Sequence, residues 1–237
     1  MKLKLSRRWY LLITVLLIAL ALLLSWMLIS SPRVVLFGQI VSRFETERKV
    51  VVLTFDDGPL GANTTETLQL LDSVQAKATF FIVGKEALAR SDNMKAIIAA
   101  GHAVGNHGYS HNALVFMAPS QLAREIELTD EVIKTAGYDG VIPFRPPYNY
   151  KLALLPLYLA RHNRPDISRD VLVPEGSERT AEQIAADVVA RVRPGSIILL
   201  HPHYDHTAST RAAIPLIVSQ LRVKGYSFMT VPEMLEL

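Results

Sequence analysis

An α/β domain built on a parallel sheet and preceded by one membrane-spanning helix is the fold class this chain predicts. Three observations carry it. An apolar run of about membrane length lies near the amino terminus. From about Lys49 onward, short β-branched runs alternate with helical patterns, and polar residues able to do chemistry collect just after those runs. Roughly 190 residues outside the membrane are ample for one α/β core.

From Leu11 to Ile29 the chain is almost unbroken Leu, Ile, Val, Ala, Trp and Met, about the ~20 residues a helix needs to cross a bilayer. Thr14 and Ser25 can bond back to their own helix. Trp9 and Tyr10 at one end and Trp26 at the other match an aromatic belt. Lys2, Lys4, Arg7 and Arg8 form a basic terminus over residues 1–10, which keeps the amino terminus cytoplasmic and sends the rest of the chain across the cytoplasmic membrane. A cleaved signal peptide has a core of about 7–15 residues ending in a small-x-small site. This core is longer, and Leu28-Ile29-Ser30-Ser31-Pro32 is a poor site, so an uncleaved anchor is expected.

Those four basic residues, with no acid among the first thirty, account for the formal charge of +3 and leave about −1 for the remainder. So neutral a body gives no electrostatic ground for nucleic-acid binding. The absence of cysteine removes disulfide and thiolate chemistry and is compatible with either compartment.

In the connector, residues 30–48, the spacing of Phe37, Ile40, Val41 and Phe44 predicts a short amphipathic helix over residues 33–48 that serves packing. The catalytic domain is expected over residues 49–237. Strands are predicted at residues 50–55, 78–83, 102–106, 141–144, 197–200 and 226–230. Helices are predicted at residues 65–74, 93–100, 119–135, 181–192 and 211–224, with Ser120 and Thr180 as N-caps and Gly101 and Gly225 as C-terminal stops. Residues 149–174 are less legible, since a helical pattern over 152–159 is interrupted by Pro156.

The first strand ends in Phe55-Asp56-Asp57-Gly58-Pro59, which leaves two carboxylates at a sheet edge, and His107 and His111 follow a later strand at a spacing that lets both imidazoles converge across one turn. A carboxylate with two histidines leaves coordination positions open for water and substrate, the pattern of a hydrolytic metal site. Each motif alone is weak, because turn chemistry explains Asp-Asp-Gly-Pro and a lone histidine pair is usually structural.

Order and spacing together are stronger. Thr54-Phe55-Asp56-Asp57-Gly58-Pro59, Asn106-His107-Gly108-Tyr109-Ser110-His111, Phe144-Arg145-Pro146-Pro147-Tyr148 and Ile198-Leu199-Leu200-His201 resemble the motif series of polysaccharide deacetylases with the NodB-type domain, carbohydrate esterase family four, over about residues 49–232. The resemblance implies a distorted (β/α) barrel with one divalent metal at the carboxyl ends of its strands, where barrel enzymes keep their sites. It implies Asp57, His107 and His111 as metal ligands, Asp56 as catalytic base paired with Arg145, and His201 as the acid, its proton held by an aspartate best matched by Asp170. Pro147 and Tyr148 would face substrate, the Tyr148 N–H helping to hold the oxyanion. Zn²⁺ is the expected ion, although Co²⁺, Ni²⁺ or Fe²⁺ suits the same donors.

Three positions depart from the family pattern: Val171 stands where tryptophan commonly follows the fourth-motif aspartate, Gly108 replaces a serine or threonine, and Pro202 replaces an acid. The implied reaction is metal-dependent hydrolysis of the acetamide of an N-acetylated glycan, of N-acetylglucosamine type and belonging to the cell envelope. A lipid-linked sugar is the alternative substrate, and an inactive sugar-binding relic is the alternative of another class. His201-Pro202-His203-Tyr204-Asp205-His206 also matches the HxHxDH pattern of metallo-β-lactamase-like hydrolases, but no histidine follows His206 to complete that site. His203 and His206 are expected at the rim of the site, His102 and His162 in structural roles.

Overall fold

The computed structural model describes residues 6–237, so Lys2 and Lys4 of the basic terminus lie outside the described residues. The apolar run forms α1, Arg7–Ser30, long and apolar enough to cross a membrane. Its side chains are exposed apart from those at its carboxyl end, and Thr14 Oγ1 bonds back to the Tyr10 carbonyl at 2.9 Å.

After it come β1 (Ile40–Val41), β2 (Val50–Gly58), α2 (Gly61–Ser73), β3 (Thr79–Ile82), α3 (Gly84–Ala89), α4 (Ser91–Ala99), β4 (Ala103–Asn106), α5 (Pro119–Thr135), α6 (Leu154–Arg161), β5 (Asp166–Ile167), β6 (Val171–Leu172), α7 (Ala181–Arg191), β7 (Ile197–Leu200), α8 (Ala208–Val223), β8 (Ser227–Met229) and α9 (Val231–Leu235). The sheet runs β4-β3-β2-β7-β6 with every pairing parallel, and β8 also joins β2. Phe144 bridges Asn106 on one side and Asp166 on the other. Because β5 and β6 belong to one short continuous segment, these bridges bring the sheet round on itself as an irregular barrel.

The alternation of β2 decides what faces where. Val51, Leu53 and Phe55 pack outward against Leu71 of α2, Ile184 of α7 and Ile214 and Ile217 of α8. Val50 and Val52 pack with Phe81, Ile167 and Ile197, over Val231 and Met234 of α9. A fully buried side chain of this size contributes about 1.5–3 kcal/mol, so the two apolar rows pin the register against a one-residue slip. Thr54 and Asp56 extend the Val50–Val52 row to the carboxyl end of the strand, where the site lies.

Thr180 caps α7, accepting from the Gln183 N–H at 3.3 Å, and Gly101 and Gly225 take positive φ after α4 and α8 as expected. Ser120 is not an N-cap: α5 begins at Pro119, and Gln121 Oε1 accepts the Ala118 N–H at 3.2 Å. The connector is not a helix. Gly38 turns with φ +72°, and β1 pairs in parallel with β5, the Gln39 and Val41 carbonyls accepting from the Asp166 and Ser168 N–H groups. β-branched Ile40 and Val41 suit a strand, and the barrel offers this segment an unpaired edge, so tertiary pairing overrides the helical spacing. Of the strand predicted at residues 141–144, only Phe144 pairs.

Candidate active site

The β2 strand is irregular at its carboxyl end: its register against β3 shifts between Phe55 and Gly58, and Asp57 adopts φ +72°. Such an irregularity re-aims a side chain that strict alternation would send to the opposite face. Both carboxylates therefore reach one cavity of about 300 Å³, whose walls include His107, His111, Arg145, Tyr148 and His201.

Asp57, His107 and His111 each offer a donor atom within 4.8 Å of the others, the one such cluster among the described residues. Asp57 Oδ1 lies 2.8 Å from His111 Nε2 and 3.4 Å from His107 Nε2. Ligands at about 2.1 Å from a tetrahedral cation sit roughly 3.4 Å apart, so the donor set fits a zinc-sized ion with one edge shorter than ideal. His107 Nδ1 lies 2.8 Å from the Arg145 carbonyl. A carbonyl only accepts, so Nδ1 carries a proton, and this bond fixes the ring with Nε2 turned toward Asp57. Burial acts to raise the Asp57 pKa, but contacts with His107 and His111 outweigh it and hold the carboxyl far below the usual range.

The loop bearing the histidines is fixed from α5: Glu125 Oε2 accepts the Tyr109 and Ser110 N–H groups at 3.0 and 2.8 Å, and Asn106 Oδ1 accepts that of Gly108 at 2.8 Å. Glu125 was not singled out from sequence, since an acid inside an amphipathic helix gives no local sign of binding a distant loop. Tyr204 was also missed. Its hydroxyl donates to Asp57 Oδ2 at 2.9 Å, and burial beside Asp57 pushes its own pKa up. Its position three residues past His201 was the one signal for it.

Asp56 is 3 % exposed, its Oδ1 2.6 Å from Arg145 Nη1 and its Oδ2 3.7 Å from His107 Nε2. Arg145 also donates to Thr54 Oγ1 and to the Ile167 and Ser168 carbonyls, each at 2.9 Å, and its guanidinium lies over the Phe81 ring at 4.0 Å.

His201 directly follows β7, but Asp170 is not its partner. Asp170 accepts from Ser196 Oγ and the Ile197 N–H, each at 2.9 Å, at the start of the same strand. At about 3.3 Å per residue, that is about 13 Å from His201. Glu175 takes the role instead: its Oε1 lies 2.8 Å from His201 Nδ1, and its Oε2 accepts the His201 N–H at 2.8 Å. Burial acts to lower the His201 pKa, yet the bonded Glu175, with Asp56 and Asp57 beyond it, raises it to about 9. Glu175 is the next acid along the chain after Asp170, a signal the motif match overrode.

Tyr148 stands half exposed at the cavity mouth with φ +58°, its hydroxyl 3.4 Å from His111 Nδ1. Pro147 is buried against Gly108, and Pro146 lines the cavity in its place. His203 is not at the rim. It is fully buried against Gly58, and burial lowers its pKa to about 4. His206 is exposed and stacks on Tyr204, so the HxHxDH residues do not converge. His102 accepts the Ala78 N–H at 3.3 Å and His162 stacks on Tyr158, both structural as read.

Comparison with known proteins decides the family. The family model described as polysaccharide deacetylase matches residues 43–162. A peptidoglycan-N-acetylglucosamine deacetylase of Bacillus cereus is 33 % identical over 188 residues, covering 78 % of this chain and 68 % of the relative. This chain belongs to the polysaccharide deacetylase family. With that family it is a hydrolase of the NodB-type fold. A bifunctional xylanase/deacetylase of Pseudobutyrivibrio xylanivorans is 32 % identical over 80 % of this chain, which spans 31 % of that longer protein. Among solved structures, a peptidoglycan N-acetylglucosamine deacetylase superposes with a TM-score of 0.77 at 31 % identity, covering 81 % of this chain and 91 % of that one. A family 4 acetyl xylan esterase from Clostridium thermocellum, solved with cobalt, gives 0.67 at 34 % identity, covering 79 % and 91 %.

Proposed function

We propose that this chain is a cation-dependent deacetylase of N-acetylated cell-envelope glycans of the N-acetylglucosamine type, releasing acetate and leaving a free amine. The observation that carries the reading is the convergence of Asp57, His107 and His111 on one point, with Asp56 beside them in the same cavity. When bound, the cation supplies Lewis-acid polarisation of the acetamide carbonyl and lowers the pKa of water toward ~7.

The side chains divide the remaining work. Asp56, paired with Arg145 through Oδ1, takes the proton of the attacking water at Oδ2, its oxygen not bonded to Arg145. The Tyr148 N–H donates to the oxyanion. His201, kept protonated by Glu175, gives its proton to the departing amine. Zn²⁺ is the ion assigned, with Co²⁺ or Ni²⁺ as substitutes, and a relative of the same family was solved with cobalt. α1 is read as a single-pass anchor in the cytoplasmic membrane with the catalytic domain on its outer face.

The test is acetate release from N-acetylglucosamine oligomers and from peptidoglycan by the full chain in lipid vesicles. Stripping with a chelator is expected to abolish release, and one equivalent of Zn²⁺ or Co²⁺ to restore it. Release that survives chelation overturns the reading.

A second expectation concerns pH. With His201 raised to about 9, its acid form persists through neutral pH and is lost as pH climbs past that value. Glu175→Gln removes the bonded carboxylate, so the alkaline limb of the kcat profile should move down by about one unit or more, toward the ordinary ~6.5 of histidine. An unmoved limb would show that Glu175 does not hold the proton.

A further inference from the structure

The turn at the cavity mouth, Pro147–Asn149, has a backbone that its own residues do not favour. Tyr148 and Asn149 are consecutive non-glycine residues in the left-handed region, at φ +58° and +60°. Contact between Cβ and the following carbonyl penalises that region for L-residues, for tyrosine more than for asparagine. Two in succession persist only where the surroundings over-determine them. Ser168 supplies one restraint, its Oγ donating to Asn149 Oδ1 at 2.9 Å.

The carboxyl end of α1 supplies the others. Carbonyls in the last turn of a helix have no partner within it. Asn149 Nδ2 donates to those of Ser30 and Ser31 at 3.1 Å each, the Lys151 N–H to that of Ile29 at 3.1 Å, and the Lys151 ammonium to that of Ser31 at 2.7 Å. A cation placed there also complements the negative end of the helix dipole. The same ammonium donates to the Asn149 carbonyl at 3.2 Å and lies 3.6 Å from Asp166, so one buried group joins helix, turn and β5. Rings continue the link from the helix to the cation ligands: Trp26 to Tyr150 at 5.7 Å, Tyr150 to Tyr148 at 5.8 Å, and Tyr148 to His111 at 4.9 Å. The turn lies inside the residues matched by the family model, 43–162, and α1 lies before them.

We propose, resting on the deacetylase reading above, that α1 serves catalysis as well as anchoring. Its docked end holds the Tyr148 turn in the conformation that aims the Tyr148 N–H at the oxyanion. Lys151 and Trp26 are positioning residues for that donor: neither lines the cavity, and each acts only through the turn. Asn149 is the bridge between the two, gripping the helix from the cavity wall.

The experiment uses the full chain loaded with zinc in phosphatidylcholine vesicles, a chitooligosaccharide as substrate, and amide hydrogen exchange at residue 151 on the same preparation. In the parent chain that amide should be protected, because its acceptor is the Ile29 carbonyl of the helix. Lys151→Met joined with Asp166→Asn removes both partners of the buried pair, so neither is left unpaired. This variant should exchange faster at residue 151 and lose about tenfold or more in kcat, short of the ~10²–10³ that outright removal of an oxyanion donor costs. KM and zinc content should stay as in the parent, the mark of an interaction made only in the transition state. Trp26→Ala, at a half-exposed helix position whose loss leaves the domain core intact, should lower kcat in the same way by about threefold or more, and Trp26→Phe should recover it. Rapid exchange at residue 151 in the parent overturns the proposal. So does an unchanged kcat in Trp26→Ala, or a loss carried by KM or by departed zinc. Absence of acetate from the parent itself would overturn the deacetylase reading, whereas an active parent with equally active variants would refute only the positioning role of α1.

Discussion

Asp56→Asn is expected to lower kcat by about 10²–10⁴-fold, the usual contribution of a positioned general base, while the chain still takes up one equivalent of cation. The geometry separates these two outcomes. Asp57, not Asp56, sits 2.8 and 3.4 Å from the two imidazole nitrogens, so an amide at 56 removes the proton acceptor without touching the three donors. The amide nearly matches the carboxylate in shape and can still accept from Arg145. Steady-state rates and metal content measured on the same preparation decide the matter. A variant that loses its metal with its activity would make Asp56 a ligand and end the proposed division of roles.

Arg145→Met is expected to cost about 3–5 kcal/mol of stability, because it removes one partner of a buried ion pair. Asp56 would be left 3 % exposed with no counter-charge, and the Ile167 and Ser168 carbonyls would lose their 2.9 Å donors. The penalty is the desolvation of the stranded groups more than the loss of one contact. Urea unfolding with an unchanged m-value is the measurement, and a loss under about 1 kcal/mol would contradict the picture. Adding Asp56→Asn should recover part of the loss, since the charge left unpaired is then gone and the two effects are coupled. Activity should fall alongside stability, for without the guanidinium the Asp56 carboxylate loses the bond at Oδ1 that fixes its position in the cavity.

What could be read before any coordinates was whatever depends on local spacing. β2 and β7 followed from apolar runs, α5 from its period, and the donor set from the resemblance carried by two short motifs, although the irregular end of β2 that turns both carboxylates to one cavity left no sequence signal. The misreadings share one cause: partners chosen across the fold. Glu175 rather than Asp170 reaches His201 because β7 is long enough to separate its two ends, a distance no motif records. Ile40 and Val41 became a strand because β5 presented an edge to them, and His203 went inside because α2 offers Thr64 Oγ1 at 3.2 Å from its Nδ1. Tyr204 acts through one long-range hydrogen bond and Glu125 through two, which leave no periodic trace.

Gly58 has a consequence for how durable the site is. A methyl group at that position would meet the His203 ring at 2.5 Å, and the ring, neutral down to a pH of about 4, has nowhere to go. The turn behind Asp57 thus lies directly on a buried, uncharged ring, an approach that the missing side chain of Gly58 permits. Packing of that kind is indifferent to dissolved electrolyte, unlike attraction between exposed ions. The Asp57 carboxylate therefore keeps its aim in brine, where a scaffold propped by surface charges would slacken.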